Sequence, residues 1–435
     1  MKTNRFFLFF TIAICIIAGC TDNLQTGQDS RKVVSHEVTL KEAHQQLNKI
    51  IPDFNIPATR NAAEKSVPQI TSSYSIGSHS STRSDGEIKP YFHIFNFGDN
   101  EGFAIMSGDD RVIPLLAITF SGELTPETEI DNPGFKIAYS RMEDYYVEQV
   151  SSFSSNGGTS SILPIDPGSN PELELHSEYS TPIIISHDMP YGHCQVKWGQ
   201  KAPYNKYCGL YELGLDVYAG CVPVSVAQLM SIYKYPNSYN GHSFDWNEMN
   251  QFVHNSYSHQ YYAAAIDQIA RLMQQLGLPQ NLDVQYEVVE PGNGSSADPD
   301  NDPRTLRHLG YSNGGTLRDY NTEDIANELK AGYPVLIGGY DDTGVGHQWL
   351  GHGITEFFRT VYVYNGFNIL VSTINVDVKY ILCNWGWSGS QDGYYASNVF
   401  DTNKGPTDID SLSSRTSTYE DYYRHDLKMV INIRK

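Results

Sequence analysis

Tyr218-Ala219-Gly220-Cys221-Val222-Pro223-Val224-Ser225-Val226-Ala227-Gln228-Leu229-Met230 is the stretch from which the rest of the chain can be read. Val222, Val226, Leu229, Met230 and Tyr233 recur at one helical face. Pro223 belongs in a first turn, where its missing N–H costs nothing. The pattern therefore predicts a buried helix with Cys221 at its N-terminus, after a glycine that permits close approach. Free N–H groups and the positive end of the dipole would lower the thiol pKa, and the thiolate is the nucleophile. Taken alone, Cys221 reads equally well as a small apolar residue at a helix start.

A nucleophilic cysteine needs a base, and the base an orienter. Gly346-His347-Gln348-Trp349-Leu350 opens a strand pattern, and a strand-end histidine beside glycine can face a cleft. Further on, Leu382-Cys383-Asn384-Trp385-Gly386-Trp387 offers Asn384 to fix the imidazole and Trp385 to exclude water. His347 lies 126 residues after Cys221 and Asn384 lies 163 after it. The order Cys, His, Asn at such distances approximates papain-like proteases. Upstream, Lys197-Trp198-Gly199-Gln200 supplies Gln200, an amide able to share an oxyanion with the Cys221 N–H.

Around this core the chain divides into three. Residues 1–20 read as a signal segment: Lys2 and Arg5, an apolar run Phe6–Ala18, then Gly19-Cys20. The run is too short to span a bilayer and resembles a bacterial lipobox, which would make Cys20 the lipidated first residue. Residues 21–182 hold a polar tether to residue 35 and a small α+β unit. That unit has a helical pattern over 36–50, a loop over 60–90, strands over 91–120 and a helix over 134–150. Ser- and Pro-rich residues 151–182 read as an exposed connection, and residues 183–435 begin helical and end in strands.

Composition narrows the partners. The 435 residues carry a net charge of −20, which argues against nucleic acid. Thirty tyrosines, 36 glycines and 18% charged residues resemble a β-rich extracytoplasmic protein. The six cysteines show neither CxxC nor a His/Cys zinc spacing, so neither metal nor cofactor is expected. Cys194 and Cys208 would suit either a bridge or two buried thiols.

Together these motifs resemble the streptopain family of papain-fold cysteine peptidases. The likeness runs through Trp198-Gly199-Gln200, Gly220-Cys221, Gly346-His347, Asn384-Trp385-Gly386-Trp387 and Asp392-Gly393-Tyr394. It reaches back to Asn100–Arg111, Asn132-Pro133 and Tyr145–Val150, which are similar to that family's inhibitory prosegment. The resemblance implies an α+β papain-like catalytic domain, helical part plus antiparallel β part, behind a small α+β prosegment. It implies a zymogen hydrolysing protein or peptide substrates, with the prosegment as intramolecular inhibitor until the connection is cut. Carried over, Cys221 is nucleophile, His347 base then acid, Gln200 oxyanion donor, Asn384 orienter and Trp385 shield, while Ser295 and Ser296 match a substrate-binding wall. With Cys20, the expectation is a lipid-anchored lipoprotein of the bacterial cell envelope. His352 stands where the family has Asp and is a second histidine near the base. Residues 355–378 are longer than the usual hairpin, and Asp298–Pro303 reads as an exposed loop. A catalytically silent surface binding protein, and a transglutaminase or amidase, remain alternatives on the same residues.

Overall fold

The computed structural model describes residues 36–54, 68–82, 88–155, 176–180, 182–187, 189, 191–289, 294–341, 344–364, 367–400 and 427–435. The signal segment with Cys20, the tether, and most of the connection over 151–182 lie outside the described residues.

Helix α1 (Leu40–Ile50) opens on a capping box, Thr39 accepting the Glu42 N–H while Glu42 takes the Thr39 N–H. Strands β1 (Ile70–Thr82), β2 (Ile88–Phe97), β3 (Phe103–Ser107) and β4 (Leu115–Thr119) then form an antiparallel meander. Helix α2 (Pro133–Ser155) lays Phe135, Ala138 and Met142 into the core of that meander. Two short strands, β5 (His176–Tyr179) and β6 (Ile183–Ser186), precede helix α3 (Cys221–Tyr233). A small hairpin follows, β7 (Ser238–Tyr239) with β8 (His242–Ser243), then α4 (Trp246–Met249), α5 (Ala263–Leu276) and α6 (Asp302–His308). The chain ends with β9 (Asn313–Asp319), α7 (Thr322–Lys330), β10 (Val335–Tyr340), β11 (Gly346–Tyr364), β12 (Leu370–Asn384), β13 (Gly393–Ala396) and β14 (Lys428–Arg434).

One antiparallel sheet runs through both parts, in the order β1-β2-β3-β4-β13-β12-β11-β10-β14-β9, with β5 and β6 paired to β11. The N-terminal meander joins the rest through β4 and β13, in the register Gly393↔Thr119 and Tyr395↔Ala117. Period-two alternation splits the sheet's apolar residues between two cores. On β10 and β11, Leu336 and Leu350 face the helical core of α3 and α5. Their neighbours Ile337 and Trp349 face the other core, shared with the N-terminal meander. This divides the molecule as the α+β papain-like expectation requires. No helix of the described residues is long and apolar enough to cross a membrane.

Three sequence expectations change, and the long hairpin is found. Within the expected loop 60–90, Ile70–Thr82 is a strand; it is a half-exposed sheet edge, where Ser and Thr serve as well as apolar residues. In the expected exposed connection, His176–Tyr179 pairs with Val361–Tyr364 at the edge of β11. Asp298–Pro303 is a 3-10 turn leading into α6 and not a loop; Asp298 and Asp300 are exposed as expected, but Asp302 is fully buried. The long segment after His352 is a single hairpin, β11 paired to β12 from Leu350↔Asn384 to Tyr364↔Leu370.

Candidate active site

Gly220 holds φ +97°, a conformation that favours glycine, and delivers Cys221 as the first residue of α3. The apolar face predicted for the helix is buried: Val222, Val226, Leu229, Met230 and Tyr233 all lie in the helical core. Cys221 keeps some accessible surface, yet protein packs densely around its sulfur. Burial pushes the thiol above its ordinary range, outweighing the backbone N–H groups of Gln348, Val222 and Cys221 that draw it down. The acidified thiol expected from helix position alone is therefore not met in this closed arrangement. The dipole acts only at the helix end, whereas desolvation acts on the whole sulfur.

The Gln348 N–H places the sulfur one residue from His347 along β11. His347 is 4% exposed, and its Nε2 lies 2.8 Å from the Trp385 carbonyl oxygen. A carbonyl only accepts, so Nε2 carries the proton and Nδ1 is the basic nitrogen. Burial drives the imidazole down to about 4, so it is neutral at pH 7. His352, the competing histidine, lies five residues on along the strand, on the other parity. Its Nδ1 accepts the Cys194 N–H at 3.1 Å, and burial holds it at about 3. It is thus committed to the backbone of the segment leading to Gln200.

Gln200 is buried, and its carbonyl accepts the Ala219 N–H at 2.8 Å, which ties it two residues from Cys221. Ser295 borders the same turn: its Oγ donates to Tyr218 O at 2.6 Å, and its carbonyl lies 3.8 Å from where a Gly220 side chain would begin. Ser296 pairs through its backbone with Gln285, so it supports the wall.

Asn384 does not reach the imidazole. Its Oδ1 accepts from Gln228 Nε2 at 2.9 Å and from the Gly386 N–H at 3.0 Å, and its Nδ2 donates to Val196 O at 2.9 Å. The group fixing the His347 tautomer is instead the backbone carbonyl of Trp385, within the turn that Asn384 holds. Trp385 itself is fully buried; its Nε1 donates to Gln391 O, and its ring packs on Trp349 and Tyr395. Its N–H donates to Asp392 Oδ1 at 2.9 Å, a carboxyl that burial pushes up to about 7.

The N-terminal part closes over this arrangement. Asn132 caps α2, Oδ1 accepting the Gly134 and Phe135 N–H groups, while Nδ2 donates to Ser390 O at 2.7 Å. A Cβ on Gly134 would sit 2.8 Å from His347 Cδ2 and 2.9 Å from Trp385 Cδ2, so only glycine lets the helix start rest against both rings. Lys136 Nζ pairs with Asp341 Oδ2 at 2.8 Å, and Ser121 Oγ donates to Gly389 O at 2.6 Å. Asn132-Pro133 is visible in the sequence as part of the prosegment likeness, whereas Gly134 carries no sequence signal because it acts through contact alone.

The four described cysteines are unbridged. Cys194 sits near Ser231 and Asn384, and Cys208 near Tyr286, each raised to about 12 by burial. Among the described residues no three His, Cys, Asp or Glu side chains gather as a metal site.

Comparison with known proteins agrees with this arrangement. Residues 198–395 match the peptidase C10 family and residues 31–145 the Spi protease inhibitor. The thiol protease/hemagglutinin PrtT of Porphyromonas gingivalis is 28% identical over 176 residues, 38% of this chain; the match spans 18% of that protein's length. A prointerpain A fragment from Prevotella intermedia shares the fold, covering 79% of this chain and 96% of its own at 22% identity and a TM-score of 0.50. Residues 198–395 are thus a peptidase C10, or streptopain-type, cysteine peptidase region, and residues 31–145 ahead of it an Spi-type inhibitory prosegment.

Proposed function

We propose that the protein is a secreted, lipid-anchored endopeptidase, held as a zymogen and acting through Cys221. The observation that carries this reading is the placement of the Cys221 sulfur beside the Gln348 N–H, next to a neutral His347 against which the prosegment rests at Gly134. In the open enzyme, Nδ1 of His347 takes the thiol proton and the sulfur attacks the peptide carbonyl. Gln200 and the Cys221 N–H hold the oxyanion. The imidazolium then protonates the departing amine, leaving an acyl-enzyme. Water, deprotonated by His347, releases the acid and the free thiol. Trp385 orients the imidazole through its carbonyl and keeps water away, Asn384 holds its turn, and Ser295 with Ser296 forms one wall for the substrate. Protein and peptide substrates, and the cell envelope as location, follow from this reading and from Cys20.

The deciding experiment treats the purified protein, before and after prosegment removal, with a thiol-reactive peptide electrophile. A covalent adduct on Cys221 only after removal supports the reading; no adduct in either form favours a silent binding protein. With peptide and an added amine, hydrolysis products alone exclude acyl transfer as the main reaction. Mass spectrometry of the N-terminus tests the anchor, since a diacylated Cys20 is expected. Gln200→Ala should lower kcat by ~10²- to 10³-fold with unchanged unfolding temperature, as loss of one oxyanion donor does; a smaller loss would remove Gln200 from that role.

A further inference from the structure

Behind the thiol lies a buried acid that the mechanism above does not use. Asp302, the first residue of α6, has no accessible surface, and the polar side chain its carboxyl meets is the Gln348 amide. An uncompensated buried charge is costly, so such a group stays protonated. Burial lifts it well above the usual carboxylate range, Gln348 draws it back, and Asp298 and Asp300 raise it further. As a neutral acid it offers a neighbouring amide both a donor and an acceptor.

That neighbour is Gln348, 2% exposed, on the strand residue after His347. Its side-chain Nε2 donates to Ser225 Oγ at 3.0 Å, and Ser225 Oγ donates to Val222 O at 2.9 Å in the first turn of α3. Its backbone N–H meets the Cys221 sulfur. One residue thus touches the strand of the base, the helix of the nucleophile, and the acid on α6. Leu336, Leu350, Val224 and Leu306 make up the apolar core here, where a leucine or methionine would pack without polar atoms to satisfy.

We propose that Gln348 is a positioning residue for Cys221: its side chain pins β11 to α3 and α6, so that its own N–H stays against the sulfur, with Asp302 backing the amide. This rests on Cys221 being the nucleophile. A thiolate gains most from a donor that need not move to meet it. Displacing that donor costs rate even though the N–H survives any side-chain substitution.

The test uses the prosegment-free enzyme with Gln348→Met, which keeps length but loses the amide. Expected is a loss of kcat on the order of 10²-fold with KM little changed, the size a displacement of about 1 Å brings. The pH midpoint for alkylation of Cys221 by iodoacetamide should rise. Ser225→Ala should shift that midpoint the same way, and combining the two should add little beyond Gln348→Met, because both break one clamp. Ser225→Ala carries the test if the methionine variant proves unstable. A folded Gln348→Met enzyme with wild-type midpoint and kcat overturns the proposal, as do independent, additive effects. If wild-type Cys221 itself fails to react while the enzyme still cleaves peptides, the nucleophile assignment falls, a result distinct from failure of the clamp.

Discussion

Cys221→Ala should remove peptide hydrolysis by ~10⁶-fold in kcat, the cost of deleting a nucleophile from a preorganised site. The full-length variant should also remain uncut in the connection before the catalytic part, because self-processing uses the same thiol. Stability should change little. The helix is held by Val222, Val226, Leu229 and Met230 in its core, and Cys221 is a partly buried residue at the edge of that core. Three measurements separate the possibilities: turnover of a fluorogenic peptide, the unfolding midpoint, and the mass of the chain after incubation. Adding a trace of wild-type enzyme should restore cutting of the variant in trans, which shows that the connection is intact. Retained turnover by a purified Cys221→Ala protein would sink the catalytic assignment. Lost turnover with a collapsed unfolding midpoint would show instead that the cysteine serves the fold.

Much of this site was legible because its parts have local signatures. A glycine before a cysteine, a proline in the first turn and an apolar face four residues apart define α3 without tertiary information, and α3 is found at Cys221–Tyr233. Gly346-His347 marks a strand start for similar reasons. Contacts made by the backbone were not legible. The tautomer of His347 is fixed by the Trp385 carbonyl, and the Cys221 sulfur is met by the Gln348 N–H; nearly every residue type offers such groups. Reading Asn384 as the direct orienter followed the side chain and missed that its amide is spent on Gln228, Gly386 and Val196. Polar composition misled at β1, where an edge strand needs only one packed face, and at Asp302, whose neighbours Asp298 and Asp300 suggest a solvated run while it points into the core.

Gly134→Leu should unlock the zymogen. The added Cβ would overlap the Trp385 ring and approach His347 Cδ2 to 2.8 Å, and neither ring can withdraw. Trp385 is wedged between Trp349 and Tyr395 with its Nε1 bonded to Gln391 O, and His347 is held at Trp385 O. The strain must then lift the start of α2, loosening the Asn132 bond to Ser390 O. Forced overpacking of this kind costs about 1–3 kcal/mol. Since the strain acts on the closed form and not on the open one, it raises the open population by roughly 5- to 150-fold. Labelling of Cys221 by a peptide electrophile, followed on the still-uncut chain by intact mass, should accelerate by that factor, and self-processing should follow it. Gly134→Ala should give a smaller acceleration in the same direction, because one methyl already violates the contact while leaving the rest of the interface unchanged. The remaining anchors, Lys136 with Asp341 and β4 paired to β13, should keep the prosegment attached, so the variant stays soluble and folded until it cuts itself. Equal labelling rates for wild type and Gly134→Leu would mean that inhibition does not depend on the helix start resting on the two rings, and the block would have to be sought along β4 instead.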